Sequence, residues 1–524
     1  MPHAPAILAF ALALALPLGT AARDPLKLDD GPLDMRVLTR PGAVLRDGPD
    51  AAAVKKPPVF TTYYVFARET RDGAEWVEIG ADRDGAATGW MRADETVAWK
   101  QTIVLAFANP ADRIPVLFFE DRPALERFVA DETMSTRAEL LAEAARAGGA
   151  VEGSGVIAAE PAEHVSITEQ FYLLPILDAA DIRVNRRPRK IVQVASINQE
   201  EPSPTSGTPE PFRVGVVFVV DTSTSMGPYI ARAKQAIADI LKGVATEADR
   251  ERVSFGMVGF RSSLAETPGL EYTAREFYPL QKDFDEAAFF AALEGMQAST
   301  VSSHAFDEDG LSGLVKAAEM PGWADFDGRY IIYVTDAGML VGEDQGSSAG
   351  TTPELFARRA QSDLGIATFS LFLKTRPGRA YHEDALAQLG QVSRVDGVSA
   401  PLVYPIEDGS LEAFGAQVDQ LTGALLAQVR QTEAARPAPP ALCETDPQDI
   451  SCAASEVGHA MRLAWLGRQQ QAQAPDTYEA WAADFALDDP SRRALNPRVL
   501  LTRSQLNDLY VTLQALAEAF AASN

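Results

Sequence analysis

Residues 214–227 read VGVVFVVDTSTSMG. Val214 to Val220 is a run of β-branched and aromatic residues that stops abruptly at an acidic, hydroxyl-rich loop. An apolar run of this length bounded by a polar turn is the pattern of a strand buried on both faces of a parallel sheet. From Pro228 to Val244 the apolar residues fall at Ile230, Ala233, Ile237, Ile240, Leu241 and Val244. That spacing is helical, with Pro228 in the first turn and Gly243 at the stop. The loop therefore joins the carboxyl end of a buried strand to the start of a helix, where open α/β sheets bind their ligands.

Within that loop Asp221, Ser223 and Ser225 alternate along the chain. One carboxylate and two hydroxyls, with neither Cys nor His, make a hard-oxygen donor set suited to Mg²⁺ or Mn²⁺ and poorly suited to Zn²⁺. The competing reading is an Asp or Ser that caps the following helix.

The stretch VFVVDTSTSMGPYIARAKQAI, residues 217–237, resembles the opening of a von Willebrand factor A (VWA) domain, whose D-x-S-x-S loop forms a metal-ion-dependent adhesion site. The resemblance implies a second acidic loop after a later strand, and YIIYVTD, Tyr330 to Asp336, supplies one. It extends over roughly Phe212 to Arg430 and implies a doubly wound, Rossmann-like α/β domain. It also implies a Mg²⁺ or Mn²⁺ ion held by Asp221, Ser223, Ser225 and Asp336, with an open position for a carboxylate from a protein partner. The family places a Thr in the loop before the helix at Glu308, but here that loop reads ASTVSSHAFDEDG, with Asp307 nearest the expected position and Thr300 seven residues earlier. An Asp307 ligand would add negative charge and tighten the resting ion; the same residue also reads as the cap of the helix.

The chain has 524 residues, enough for about three domains. Its 47 Lys plus Arg stand against 73 Asp plus Glu, a formal charge of −26 that opposes nucleic acid and anionic lipid as partners. Residues Ile7 to Leu18 form an Ala/Leu run too short to span a bilayer. Gly19 to Ala22 follow as a small-residue cleavage region, then polar Arg23-Asp24; this is the pattern of a secretory signal peptide over residues 1–22, although no Lys or Arg precedes the apolar run. Export to the periplasm or beyond is the expectation, with no further membrane span. In an exported chain Cys443 and Cys452 read as a local disulfide.

Short strands with turn signals fill residues 32–100 and suggest a small barrel. VLTRPGAVLRDGP, AEWVEIG and TGWMRAD resemble bacterial SH3-like domains, which implies a site for cell-wall peptide, while Tyr63, Trp76 and Trp90 read equally as core. Residues 101–197 read as an α+β segment without an assignable role. NQEEPSPTSGTPEP (198–211) is a Pro-rich linker before the A-type domain at 212–430, and 431–448 is a second linker. Residues 449–524 read as a helical region, with apolar Leu506, Leu509, Leu513, Leu516 and Phe520 at helical period.

LLPIL (173–177), VFVVDTSTSMGPYI, APDTYEAWAADF (474–485) and LLTRSQLNDLY (500–510) together resemble the extracytoplasmic portion of the serine/threonine kinase of bacterial type VI secretion clusters. No phosphate loop, H-R-D or D-F-G signature accompanies them, so the similarity implies an envelope scaffold or sensor and not a kinase. The five His residues lack H-E-x-x-H spacing and Ser225 lacks a nucleophile elbow. The leading expectation is a non-enzymatic, exported, metal-dependent binding protein. One alternative is a structural protein without metal that binds through its SH3-like domain; another is a hydrolase using Asp307 or His304 as base.

Overall fold

The computed structural model describes residues 23–523 except 29–30, 32, 85–86, 100–102, 132, 166, 168–171, 173, 197–210, 244–250, 304, 343–345, 396–397, 399, 430–448 and 502. The expected signal peptide, the first linker except Pro211, the second linker, Cys443 and His304 lie outside the described residues. Cys452 is disulfide-bonded. The chain is a mixed α/β, multidomain protein that divides into two compact units.

The sheet that carries the D-x-S-x-S loop lies wholly in one unit. Its strands are β1 (Val214–Asp221), β2 (Val253–Phe260), β3 (Ala274–Tyr278), β4 (Gly328–Thr335), β5 (Ala367–Leu373) and β6 (Val403–Ile406). Their spatial order is 3-2-1-4-5-6. All neighbours are parallel except the β2–β3 pair at one edge. Every residue of β1 and β2 is buried, as continuous apolar runs require when helices cover both faces.

Alternate β1 side chains feed two separate cores. Val214, Val216, Phe218 and Val220 face a cluster with Ile230 and Ile237 of α1 (Gly227–Gly243), Phe289 of α2 (Glu286–Gly295) and Phe414 of α6 (Leu411–Val429). Val217 and Val219 face Leu311 and Leu314 of α3 (Gly310–Ala318), Phe356 of α4 (Pro353–Ser362) and Leu389 of α5 (His382–Val392). The strand order reverses between β1 and β4, so the carboxyl ends of those strands flank the crevice of the sheet. Asp221 ends β1 and Asp336 follows β4.

Residues 449–524 depart from the all-helical expectation. A helix α7 (Ile450–Gln469) adds Ile450, Ala454, Val457 and Trp465 to the β1 core. Beyond it, Thr477–Ala483 is a strand and so is Leu495–Val499, before a final helix α8 (Arg503–Ser523). The Thr477–Ala483 strand pairs antiparallel with Arg187–Ser196 and touches Leu117–Phe119, inside the segment that resisted assignment. That second sheet is covered by the helices Arg122–Val129 and Met134–Gly148. The basic residues Arg186, Arg187, Arg189 and Lys190 lie at the turn of a hairpin and in the first residues of its second strand, where Lys190 pairs with exposed Asp181.

In the other unit, strands from Arg36–Thr39 to Thr96–Ala98 form a seven-stranded antiparallel sheet. Tyr63 and Trp76 are buried in it and Trp90 is half-buried. Among the described residues no helix is long and apolar enough to cross a membrane.

Candidate cation site

The loop after β1 is held rigidly before any ligand is considered. Thr222 is buried; its Oγ1 donates to the Phe260 carbonyl at 2.9 Å and shares a 2.9 Å hydrogen bond with the Tyr272 hydroxyl. The Thr222 carbonyl in turn accepts from Arg261 Nε at 3.2 Å and from the Ser299 backbone N–H at 2.8 Å. Arg261 is stacked over the Tyr272 ring at 4.2 Å. Fully buried Met226 anchors the far end of the loop. The side chains between these anchors are left pointing at the β1/β4 crevice.

Asp221 is fully buried, Asp336 is 1% exposed, Ser223 is 8% exposed and Ser225 lies open to solvent. Asp221 Oδ1 accepts from the Ser223 N–H at 2.8 Å, and its Oδ2 accepts from Thr335 Oγ1 at 2.8 Å. Ser223 Oγ and Ser225 Oγ lie 3.1 Å apart. Ser225 Oγ donates to Asp336 Oδ1 at 3.0 Å, which joins the two loops. Thr375 Oγ1, from the loop after β5, donates to Asp336 Oδ2 at 3.0 Å. The four residues singled out in sequence are thus brought together, with Ser225 on the open side.

Asp307 and Thr300 are placed elsewhere. The Asp307 carboxylate accepts from the Gly338 N–H and lies beside Asp384. It does not cap the helix either: α3 starts at Gly310, and Asp309 is the cap, accepting from the Ser312 N–H. Thr300 is exposed. The residue that sequence reasoning missed is Glu308, between those two acids. It is 4% exposed, and its backbone is pinned in a short parallel bridge to Met339. Its Oε1 accepts from Ser303 Oγ at 2.9 Å, and Ser262 also hydrogen-bonds to the carboxylate.

These groups share one electrostatic environment. Burial, then the charge of Asp336, pushes Asp221 up to about 7. Burial, then the charge of Asp221, pushes Glu308 up to about 9, against hydrogen bonds from Ser303 and Ser262. Burial also raises Asp336, opposed by Ser225 and Thr375. Like charges this close in a dry site disfavour common ionisation unless a cation balances them.

No group of three or more His, Cys, Asp or Glu side chains among the described residues is drawn together as a ready-made metal cage. The donor set is instead two carboxylates with two hydroxyls, a hard-oxygen set that fits a hydrated Mg²⁺ or Mn²⁺ ion.

No protein-family model and no curated protein matches this chain. Among solved structures it is similar to the pilus adhesin SpaC of Lactobacillus rhamnosus GG in the open conformation. That match has a TM-score of 0.31 and 14% identity, over 49% of this chain and 34% of that one. It is also similar to proximal thread matrix protein 1 from the mussel byssus, with a TM-score of 0.27 and 15% identity over 41% of this chain and 47% of that one. The chain spans less than half of either protein, and at these scores neither match carries a functional argument.

Proposed function

We propose that this chain is an exported, non-enzymatic binding protein whose A-type domain engages a protein partner through a divalent cation. The 3.0 Å contact between Ser225 Oγ and Asp336 Oδ1 carries the reading, since it draws two loops far apart in sequence into one oxygen-rich crevice. The strand order 3-2-1-4-5-6, with the crevice at its reversal, supports it as the fold expected of a von Willebrand factor A domain. Asp221, Ser223, Ser225 and Asp336 would hold the ion, and Thr335 and Thr375 orient its two carboxylates. When bound, Mg²⁺ or Mn²⁺ supplies a hard, electrophilic centre that can accept an oxygen ligand from outside the chain. The exposed Ser225 side is where a partner's carboxylate would approach. The N-terminal sheet, read as SH3-like, would supply a second contact with envelope material such as a cell-wall peptide.

Thermal melting of the full chain in chelator and then in excess Mn²⁺ or Mg²⁺ tests the cation site. A ligand at about 100 times its Kd adds about 2.7 kcal/mol to the native state. The wild type should gain stability, and Asp221→Ala and Ser223→Ala should gain little or none. Equal gains in all three would place the ion elsewhere, and no gain in the wild type would remove the metal from the reading.

A further inference from the structure

Residues 506–520 read LNDLYVTLQALAEAF, and Leu506, Leu509, Leu513, Leu516 and Phe520 are spaced three, four, three and four apart. That is the a/d alternation of a coiled-coil seam, narrower than the stripe a helix lays against a globular core. The structure makes one continuous helix of this stretch, α8, and leaves the seam in the open: Leu506, Leu509, Leu513 and Leu516 are each between 47% and 57% exposed. Among the described residues no α8 side chain is buried. A contiguous row of exposed leucines marks a surface of association, and a helix gains most of its stability by covering such a row.

The positions around the seam say what covers it. Tyr510, Thr512, Ala517 and Ala519 flank it and carry no charge. The two acids of the stretch, Asp508 and Glu518, fall at heptad positions on the far side, as does exposed Val511. Two copies of a chain of formal charge −26 repel in general, but along this line a second α8 meets no like charge. The flanks also lack the charge pairs by which a seam selects a different helix. No Lys or Arg lies between 506 and 520, so nothing draws the row to an anionic lipid surface.

We propose that α8 pairs with the α8 of a second copy of this chain, giving a two-fold dimer closed through Leu506, Leu509, Leu513 and Leu516. The same patch on both copies is self-complementary, as an isologous contact requires. A seam of about two heptads is short, so the dimer forms in the micromolar range and not the nanomolar. Pairing stands independently of the cation site and doubles every binding surface, so that a partner with repeated sites is held by both copies.

Sedimentation equilibrium of the full chain across the micromolar range is the test, with near-ultraviolet circular dichroism as the check on folding. The proteins are wild type, the double variant Leu509→Glu/Leu513→Glu, Val511→Glu and a chain ending at residue 501. Wild type should pass from monomer to dimer as its concentration rises. The double variant should associate roughly tenfold or more weakly, because Glu keeps the helix but puts charge into the seam. Val511→Glu should associate within about twofold of wild type, and the chain ending at 501 should stay monomeric. A wild type that stays monomeric overturns the proposal, and if it then floats with phosphatidylcholine vesicles the row belongs to lipid. Dimerisation that survives in the double variant or in the chain ending at 501 overturns it too, by placing the contact elsewhere.

Discussion

His164 is half-buried with no partner on Nδ1 among the described residues, and its pKa is pushed down to about 3 by desolvation of the ring, with the Arg113 charge adding to it. Arg113 is committed to Glu160 in a buried pair at 2.7 Å. The folded chain therefore keeps this imidazole neutral, whereas the unfolded chain protonates it near pH 6.5. Stability from this residue is whole above that value and is lost as pH falls toward 3, by at most about 1.4 kcal/mol per pH unit. Urea midpoints of wild type and His164→Gln, taken from pH 7 to pH 4.5, should converge as pH falls; parallel curves would refute this. The carboxyls of the crevice have the reverse sign. Asp221 and Glu308 hold protons more tightly when folded, so in chelator their contribution declines as pH rises from about 4 through 7 and on to 9. Melting in chelator should fall across pH 5 to 9, and Mn²⁺ should flatten that fall.

Among elements, α3 is the one whose placement the site depends on most, because Glu308 and Asp309 lead directly into it. It packs through Gly310 and Gly313 onto the stacked rings of Phe260 and Tyr333, whose centroids are 5.2 Å apart. A Cβ at Gly310 would lie 2.0 Å from the Tyr333 hydroxyl and 3.0 Å from its ring carbon. Gly310→Ala should cost on the order of 1–3 kcal/mol by overpacking. Tyr333→Phe removes the worst contact, so the double variant should be more stable than the sum of the two single changes, a coupling that a double-mutant cycle in urea would read. The elements that carry this crevice were legible where periodicity is local. The β1 and β4 runs are apolar without interruption, and each ends in a polar turn, so Asp221 and Asp336 could be placed at strand ends from sequence. Glu308 was not legible, because in D-E-D a one-residue shift changes which acid faces the crevice. Only the Glu308–Met339 bridge fixes that choice. The Thr477–Ala483 strand was missed for another reason: its Ala-rich TYEAWAA reads as helix, and the Arg187–Ser196 strand that pairs with it lies far away in sequence.

At the scale of the molecule, the C-terminal part of the chain completes cores that begin hundreds of residues earlier. Trp465 of α7 is 2% exposed and meets Phe212 edge-on at 5.9 Å, with the Arg462 guanidinium 5.2 Å from its ring. Gln428 of α6 links the same layer, donating to the Ala454 carbonyl at 2.9 Å and accepting from the Tyr330 hydroxyl of β4 at 2.6 Å. Two structural layers therefore depend on residues after 449: the helical cover of the β1 sheet, and the strand Thr477–Ala483 of the second sheet. By contrast α8 leaves Leu506, Tyr510 and Leu513 exposed at 57%, 64% and 56%, so it contributes little to either core. Trp465→Ala should cost about 3–5 kcal/mol, the usual penalty for emptying a large aromatic site. A chain ending at residue 449 should lose its cooperative urea transition and near-ultraviolet circular dichroism, because it exposes the face that α7 covers. A chain ending at residue 501 should keep both, with a midpoint equivalent to within about 1 kcal/mol of the full chain. If the chain ending at 449 unfolds as cooperatively as the full one, α7 is an accessory to the α/β domain and not part of its core.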